Sequence, residues 1–182
     1  MSIRNSFYSG AYAQVLSRGV QPAQLPPDQA LERQTLIFRS LLALGNTQAV
    51  ITQIKDADPV ELQVLKHLAQ SQTTSTSNTL SALEKCVQVS GGVGHNLLVC
   101  CPVAGYYYSQ GLLENALQLV SRGARDVRHL ECLGLQIQIY LALHRPDLAR
   151  QEIEIIKSKA DDSALAQLLE AWVDLYTVRV CF

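Results

Sequence analysis

The chain has 182 residues, a net charge of −1, and 48% hydrophobic but only 17% charged residues. A chain of this length can bury a core of its own. The near-zero charge, without a basic run, argues against nucleic acid as a partner. No apolar run reaches the roughly 18 residues that a membrane span needs. Since charged residues usually make up about 25% of a chain, either some apolar surface meets a partner or Gln, Ser and Thr cover the surface.

The N-terminus and the cysteines indicate a reducing compartment. The first residues lack the apolar stretch of a signal peptide. The cysteines are odd in number and have no Cys-x-x-Cys spacing: Cys86, Cys100, Cys101, Cys132 and Cys181. This pattern predicts reduced thiols that are buried as small hydrophobes, rather than a disulfide framework.

Hydrophobic periodicity predicts about ten helices and no strand. In chain order they are expected near residues 5–18, 28–44, from 46, from 59, 78–89, 96–109, 113–122, 126–143, 146–159 and from 163. Residues 21–27 and 73–77 form predicted linkers. Pro102 lies inside the sixth predicted helix, where a proline costs about 3 kcal/mol. We therefore expect a bend there, or a helix that begins near Cys100.

Breaks between the helices recur at a nearly constant spacing. Gly45 and Gly111 are 66 residues apart, and Gly111 and His144 are 33 apart. A period of roughly 34 is typical of tetratricopeptide helical repeats. The sequence therefore predicts an all-α fold, a right-handed tetratricopeptide-like solenoid of paired antiparallel helices. Its register predicts breaks at Gly10, Gly45, Asn78, Gly111, His144 and position 177.

Residues at equivalent positions of successive repeats support this register. Ala116 and Ala149 are 33 residues apart and are predicted to lie where two helices cross closely. Tyr107 and Tyr140 are also 33 apart and are predicted to occupy equivalent packing positions.

No motif for catalysis or for cofactor or metal binding is evident. The glycine cluster at 91–95 lacks the Gly-Lys-Ser/Thr of a phosphate-binding loop and follows a predicted helix, which favours a helix-ending loop. The histidines and acidic residues have no metal-ligand spacing. The vicinal pair Cys100 and Cys101 allows redox chemistry, but core packing is the favoured interpretation. We expect no enzymatic activity, no cofactor and no metal.

Repeat folds of this class bind other chains on concave surfaces. Counting back from the small residue of each repeat predicts the concave positions Glu32, Thr35, Arg39, Leu42, Leu98, Cys101, Gly105, Tyr108, Glu131, Gly134, Gln138 and Leu141. This predicted groove is mostly small and apolar, and Arg39 is its clearest charge. The pattern favours a hydrophobic protein partner over a short acidic peptide.

The last predicted helix carries an amphipathic stripe. Leu168, Trp172 and Tyr176 lie on it, and we expect them to be exposed because neither a partner helix nor a polar cap follows. A partner protein or a second copy of the chain is expected to cover them. The pattern is that of a shortened array.

Several segments together resemble the epsilon subunit family of coatomer, the coat of COPI vesicles. They are Asn-Ser-Phe-Tyr-Ser-Gly-Ala-Tyr at 5–12, Leu-Glu-Arg at 31–33 with Phe-Arg-Ser at 38–40, residues 137–150, and Asp-Asp-Ser-Ala-Leu-Ala-Gln-Leu at 161–168 with Ala-Trp-Val at 171–173. The resemblance extends to about Tyr176, which predicts a repeat domain over 1–176 and a tail outside the family pattern at 177–182. Family members continue beyond this point with further repeats.

The resemblance implies a non-catalytic structural subunit that binds the C-terminal region of the coatomer alpha subunit. It also implies a cytoplasmic protein that associates peripherally with Golgi membranes and COPI-coated vesicles through the complex. The implied role is Golgi-to-ER retrograde and intra-Golgi transport. The alternative from the residues alone is a cytosolic peptide-binding tetratricopeptide adaptor or co-chaperone.

Overall fold

The computed structural model describes residues 3–19, 25–73, 77–91, 96–121, 130–160 and 164–180. Over these residues the chain forms eleven α-helices and no strand. They are α1 (Ile3–Tyr8), α2 (Tyr12–Gly19), α3 (Pro27–Ala43), α4 (Thr47–Gln53), α5 (Val60–Thr73), α6 (Ser77–Val89), α7 (Leu97–Ser109), α8 (Leu113–Ser121), α9 (Leu130–Ala142), α10 (Pro146–Ala160) and α11 (Ala164–Val180). The predicted all-α helical-repeat fold is confirmed, and its handedness stays a prediction.

The helices divide between two compact units, Met1–Ser90 and Gly91–Phe182. In the first unit each helix packs on the next along the chain, and α3 also packs on α1 and α5. Its core joins α3, α4 and α5 through Phe38, Val50, Ile54, Leu62, Leu65 and Ala69. The β-branched and leucine side chains of this cluster recur at helical spacing, which is why one face of each helix is apolar.

The second unit repeats the same packing rule. Each helix from α7 to α11 packs on the next, and α9 also packs on α7 and α11. Its core takes three buried residues from each of three helices: Leu133, Ile137 and Leu141 of α9, Ala149, Ile153 and Ile156 of α10, and Ala166, Leu169 and Val173 of α11. The three- and four-residue spacings place each triplet on one helix face.

Four of the predicted breaks share one backbone turn. Gly10, Gly45, Gly111 and His144 all have positive φ, between 57° and 79°. In each turn, the amide of this residue donates to the carbonyl three residues earlier, and the next amide donates to the carbonyl five residues before it, as in Leu112 N to Tyr107 O at 2.9 Å. This paired arrangement is the Schellman motif that ends helices. The predicted breaks at these four positions are confirmed, and the break at Gly10 divides the predicted first helix into α1 and α2.

The break predicted at Asn78 is displaced by one residue, since α5 ends at Thr73 and α6 begins at Ser77, and the break predicted at 177 is wrong. Asn78 lies in the first turn of α6, and residue 177 lies inside α11. The Thr177 hydroxyl donates to the Val173 carbonyl at 2.8 Å, four residues earlier in the same helix. The register assumed one constant repeat length, whereas these positions have no glycine that would favour a left-handed turn.

Pro102 lies within α7, which begins at Leu97 rather than near Cys100. Asn96 caps this helix, since its side chain accepts a hydrogen bond from Leu98 N at 3.2 Å. The cap explains why the helix starts before the proline. Pro102, Cys100 and Cys101 are all buried.

The small residues and tyrosines predicted for helix packing are found at such positions. Ala116 and Ala149 are fully buried, and Tyr107 is 5% exposed, whereas Tyr140 is half-buried. Gly91 has a φ of 98° two residues after the end of α6, as expected for a helix-ending loop. The remainder of that glycine cluster, the predicted start at 126 and the end of the tail at 181–182 lie outside the described residues.

Candidate functional site: the partner-binding faces

In the first unit, α1 orders the predicted binding face of α3. The Arg4 guanidinium makes a two-pronged ion pair with the Glu32 carboxylate, with Nη2 2.5 Å from Oε2. This hydrogen bond raises the pKa of Arg4 above its usual range. The guanidinium carbon of Arg39 lies 4.8 Å from the centre of the Phe7 ring, a cation–π contact. The two charges of this face are therefore engaged by α1.

The other two predicted positions on α3 contribute less polar surface. Thr35 is 1% exposed, and its hydroxyl donates to the Leu31 carbonyl at 2.6 Å. Leu42 is half-buried and packs against the core of the first unit. Glu32 and Arg39 are therefore the polar positions of this face that remain partly exposed.

In the second unit, the predicted positions lie on α7 and α9. Leu98, Tyr108, Glu131 and Gln138 are half-buried. Leu141 is 4% exposed and belongs to the core of this unit. The roles in binding assigned to these residues stay predictions.

A buried polar network beside this face was not predicted. Gln136 is 6% exposed, and its Nε2 donates to Tyr140 Oη at 2.8 Å and to Glu152 Oε1 at 3.1 Å. Its Oε1 is buried without a hydrogen-bond partner among the described residues. Burial raises the pKa of Glu152. The sequence feature that could have indicated this network is Gln136, an amide residue on the otherwise apolar face of α9.

The predicted terminal stripe divides between two faces of α11. Leu168 is 51% exposed and Trp172 45%, whereas Tyr176 is half-buried against the core and its hydroxyl lies 2.8 Å from His144 Nδ1. The exposed apolar side chains that share one face of the helix are Leu168, Trp172, Leu175 and Val178. This set, the α11 stripe, follows i, i+4, i+7 spacing from Leu168 to Leu175.

Charged residues lie outside the α11 stripe, on other faces of the same helix. Lys157 of α10 forms an ion pair with Glu170 at 2.5 Å, which raises the pKa of Lys157. Asp174 is exposed on the same helix as Glu170. The stripe is thus an apolar band on a helix that also carries acidic side chains.

Neither a metal-binding group nor a membrane-spanning helix is present in the described ranges. No three His, Cys, Asp or Glu side chains come together there as a metal-binding group. Within those ranges, none of the helices combines the length and the apolar character that a bilayer crossing requires.

Comparison with known proteins identifies the family. A family model described as "Coatomer epsilon subunit" matches residues 1–178. The chain is 30% identical over 178 residues to coatomer subunit epsilon-2 of Arabidopsis thaliana, a match that covers 96% of this chain and 58% of the relative. It is 32% identical over 179 residues to coatomer subunit epsilon-2 of Oryza sativa subsp. japonica, covering 95% and 59%.

A more distant relative shows the same extent of overlap. Coatomer subunit epsilon of Dictyostelium discoideum is 26% identical over 183 residues, a match that covers 95% of this chain and 59% of the relative. The chain thus spans somewhat over half the length of the curated relatives it matches. With a family model that covers nearly every residue and relatives at about 30% identity, the chain belongs to the coatomer epsilon subunit family.

Proposed function

We propose that the chain acts as a non-catalytic structural subunit of the coatomer coat of COPI vesicles. The observation that carries this proposal is the family match over residues 1–178. The repeated helix pairs support it, since such repeats serve as binding surfaces for other chains.

The partner we propose is the C-terminal region of the coatomer alpha subunit. Two surfaces are candidates for this contact: the predicted concave face of α3 with Glu32 and Arg39, and the α11 stripe. The α11 stripe contributes Trp172 and Leu168, and large apolar side chains carry much of the energy of protein interfaces when they are fully desolvated. Through this contact the chain would associate peripherally with Golgi membranes, in Golgi-to-ER and intra-Golgi transport.

Co-purification of the full chain with the C-terminal region of the alpha subunit tests this proposal. We expect stable 1:1 co-elution on size exclusion. The single tryptophan, Trp172, provides a second readout, because its acrylamide quenching should fall when the partner covers the α11 stripe.

A pair of variants locates the contact. The double substitution Leu168→Glu with Leu175→Glu places two charges on the α11 stripe and should weaken binding at least tenfold, because a buried unpaired charge is costly. The matched control is Val89→Glu on α6, which is 77% exposed in the other unit. Equal binding by both variants would show that the α11 stripe is not part of the interface. Failure of the unmodified chain to co-elute would overturn the partner assignment.

A further inference from the structure

Two cysteines from different helices of the second unit face each other in its interior. Cys101 of α7 and Cys132 of α9 place their sulfur atoms 2.7 Å apart. Neither forms a disulfide, and the two residues are 6% and 0% exposed. The helices that carry them pack directly against each other.

This separation is shorter than ordinary van der Waals contact between sulfur atoms and longer than a disulfide bond of about 2.05 Å. Bond formation would therefore need a movement of less than about 1 Å. The neighbouring Cys100 is fully buried on the same helix and serves as an internal comparison, because the two residues are adjacent in sequence and both are buried. Cys86 lies in the other unit, and burial raises the pKa of its thiol, which lowers its reactivity.

We propose that Cys101 and Cys132 are a reversible oxidation site that joins α7 to α9 through a disulfide bond. The oxidant is a small disulfide such as oxidised glutathione. One protein thiolate attacks a glutathione sulfur and releases the first glutathione thiolate. The second protein thiolate then attacks the mixed disulfide at the protein sulfur and releases the second glutathione. The protein pair loses two electrons, the glutathione disulfide gains them, and the two thiol protons end on the two glutathione thiolates.

Burial determines the order and the rate of these steps. Cys101 retains 6% exposure and Cys132 none, so Cys101 attacks first and Cys132 resolves the mixed disulfide. Because the oxidant reaches neither sulfur in the fully packed state, local opening of the α7–α9 contact limits the rate. Oxidation is thus slow in the folded chain and accelerates when the second unit is loosened.

The bond would join α7 to α9, which are the first helices of two consecutive repeats. It would close the segment between residues 101 and 132, which contains α8 and its connections. Leu98 and Tyr108 lie on one of the joined helices, and Glu131 and Gln138 on the other. This inference does not depend on the proposed coat function, since it rests on the packing of the second unit alone.

Oxidation of the purified full chain with oxidised glutathione tests the proposal. Mass spectrometry of the non-reduced digest should find one intramolecular cross-link, two hydrogens lighter than the paired peptides. Closure of this segment should raise the Tm by about 5–10 °C, and dithiothreitol should reverse the rise.

Adjacent cysteines provide the matched control. Cys100→Ala should retain the cross-link and the reversible rise in Tm, whereas Cys101→Ala and Cys132→Ala should each lose both. Circular dichroism confirms that each variant is folded, and Cys132→Ala substitutes for Cys101→Ala if the latter is not. Glutathione adducts without a cross-link, a cross-link that needs Cys100, or one that forms only in the unfolded chain would overturn the proposal.

Discussion

At the scale of single residues, the left-handed backbone of Gly111 is what turns the chain from α7 into α8. Its φ is 75°, and a Cβ placed there would meet nothing within 4 Å. Any cost of a side chain at this position is therefore a backbone cost, because L-residues are strained in this region by roughly 1–2 kcal/mol.

A pair of alanine substitutions separates backbone strain from packing. Gly111→Ala should lower the free energy of unfolding by about 1–2 kcal/mol. Gly105→Ala, inside α7 and equally free of neighbours within 4 Å, should raise it by about 0.5–1 kcal/mol, since alanine favours helix. Urea denaturation measures both changes. Changes of the same sign in the two variants would contradict this reasoning.

The network around Gln136 yields a prediction about pH. Because burial raises the pKa of Glu152, the folded state binds more protons than the unfolded state between the ordinary glutamate pKa of about 4.3 and the raised value. Stability from this group is therefore largest below that window and falls as pH rises through it.

Glu152→Gln should remove that pH dependence and stabilise the chain at neutral pH. The neutral amide avoids the partial burial of charge and can donate to Gln136 Oε1, which has no partner among the described residues. A net gain of about 0.5 kcal/mol is expected, measured by urea denaturation at pH 4 and pH 7. If Glu152→Gln stabilised the chain more at pH 4 than at pH 7, the result would contradict this mechanism.

Individual site residues were harder to predict than their helices. The positions of Thr35 and Leu141 followed from repeat register, yet both side chains are buried. A one-residue error in register rotates a helical position by about 100°, which is enough to turn a surface position inward. The ion pair between Arg4 and Glu32 joins residues 28 apart, and sequence spacing alone does not indicate such a contact.

At the scale of elements, α11 presents two apolar faces, of which one is buried in the core and the other is exposed. Leu169 is 2% exposed and belongs to the core of the second unit, whereas the adjacent Leu168 is 51% exposed. Two leucines at consecutive positions thus occupy a surface environment and an interior environment.

Truncation of these two leucines should have unequal effects. Leu169→Ala should destabilise the chain by about 2–5 kcal/mol, because it removes buried methyl groups and leaves a cavity. Leu168→Ala should change stability by less than about 0.5 kcal/mol. Thermal or urea unfolding compares them, and a large loss from Leu168→Ala would mean that another chain covers the stripe in solution.

The helices themselves were predictable because two signals agreed. Apolar spacing marked the buried faces, and glycines at repeat intervals marked the ends of α3 and α7. Prediction failed at Thr177 and was displaced by one residue at Asn78, because there the period was extended past the glycines that supported it. Pro102 gave an ambiguous signal, because a proline often ends a helix, and only the buried packing of α7 shows that the helix tolerates it.

At the scale of the whole chain, low charge and an uncovered apolar band act together. A net charge of −1 supplies little repulsion between copies at neutral pH. The α11 stripe is contiguous on one helix face, and apolar patches of this kind mark sites of association.

We therefore expect the isolated chain to self-associate at high concentration in the absence of the proposed partner. Light scattering over a concentration series should show a rising mean mass, with reduced acrylamide quenching of Trp172 as mass increases. The double substitution Leu168→Glu with Leu175→Glu should restore a monomer. A strict monomer at every concentration, with Trp172 nevertheless shielded, would contradict this prediction.

The shared turn at Gly10, Gly45, Gly111 and His144 has a consequence for amide hydrogen exchange. In each turn the amide of the following residue, such as Leu112, is bonded to a carbonyl of the preceding helix. These amides lie in connections that would ordinarily exchange rapidly with solvent deuterium, yet their exchange requires the helix end to unwind first. Slow deuterium uptake at such positions would thus report on the fraying of each helix, one repeat at a time.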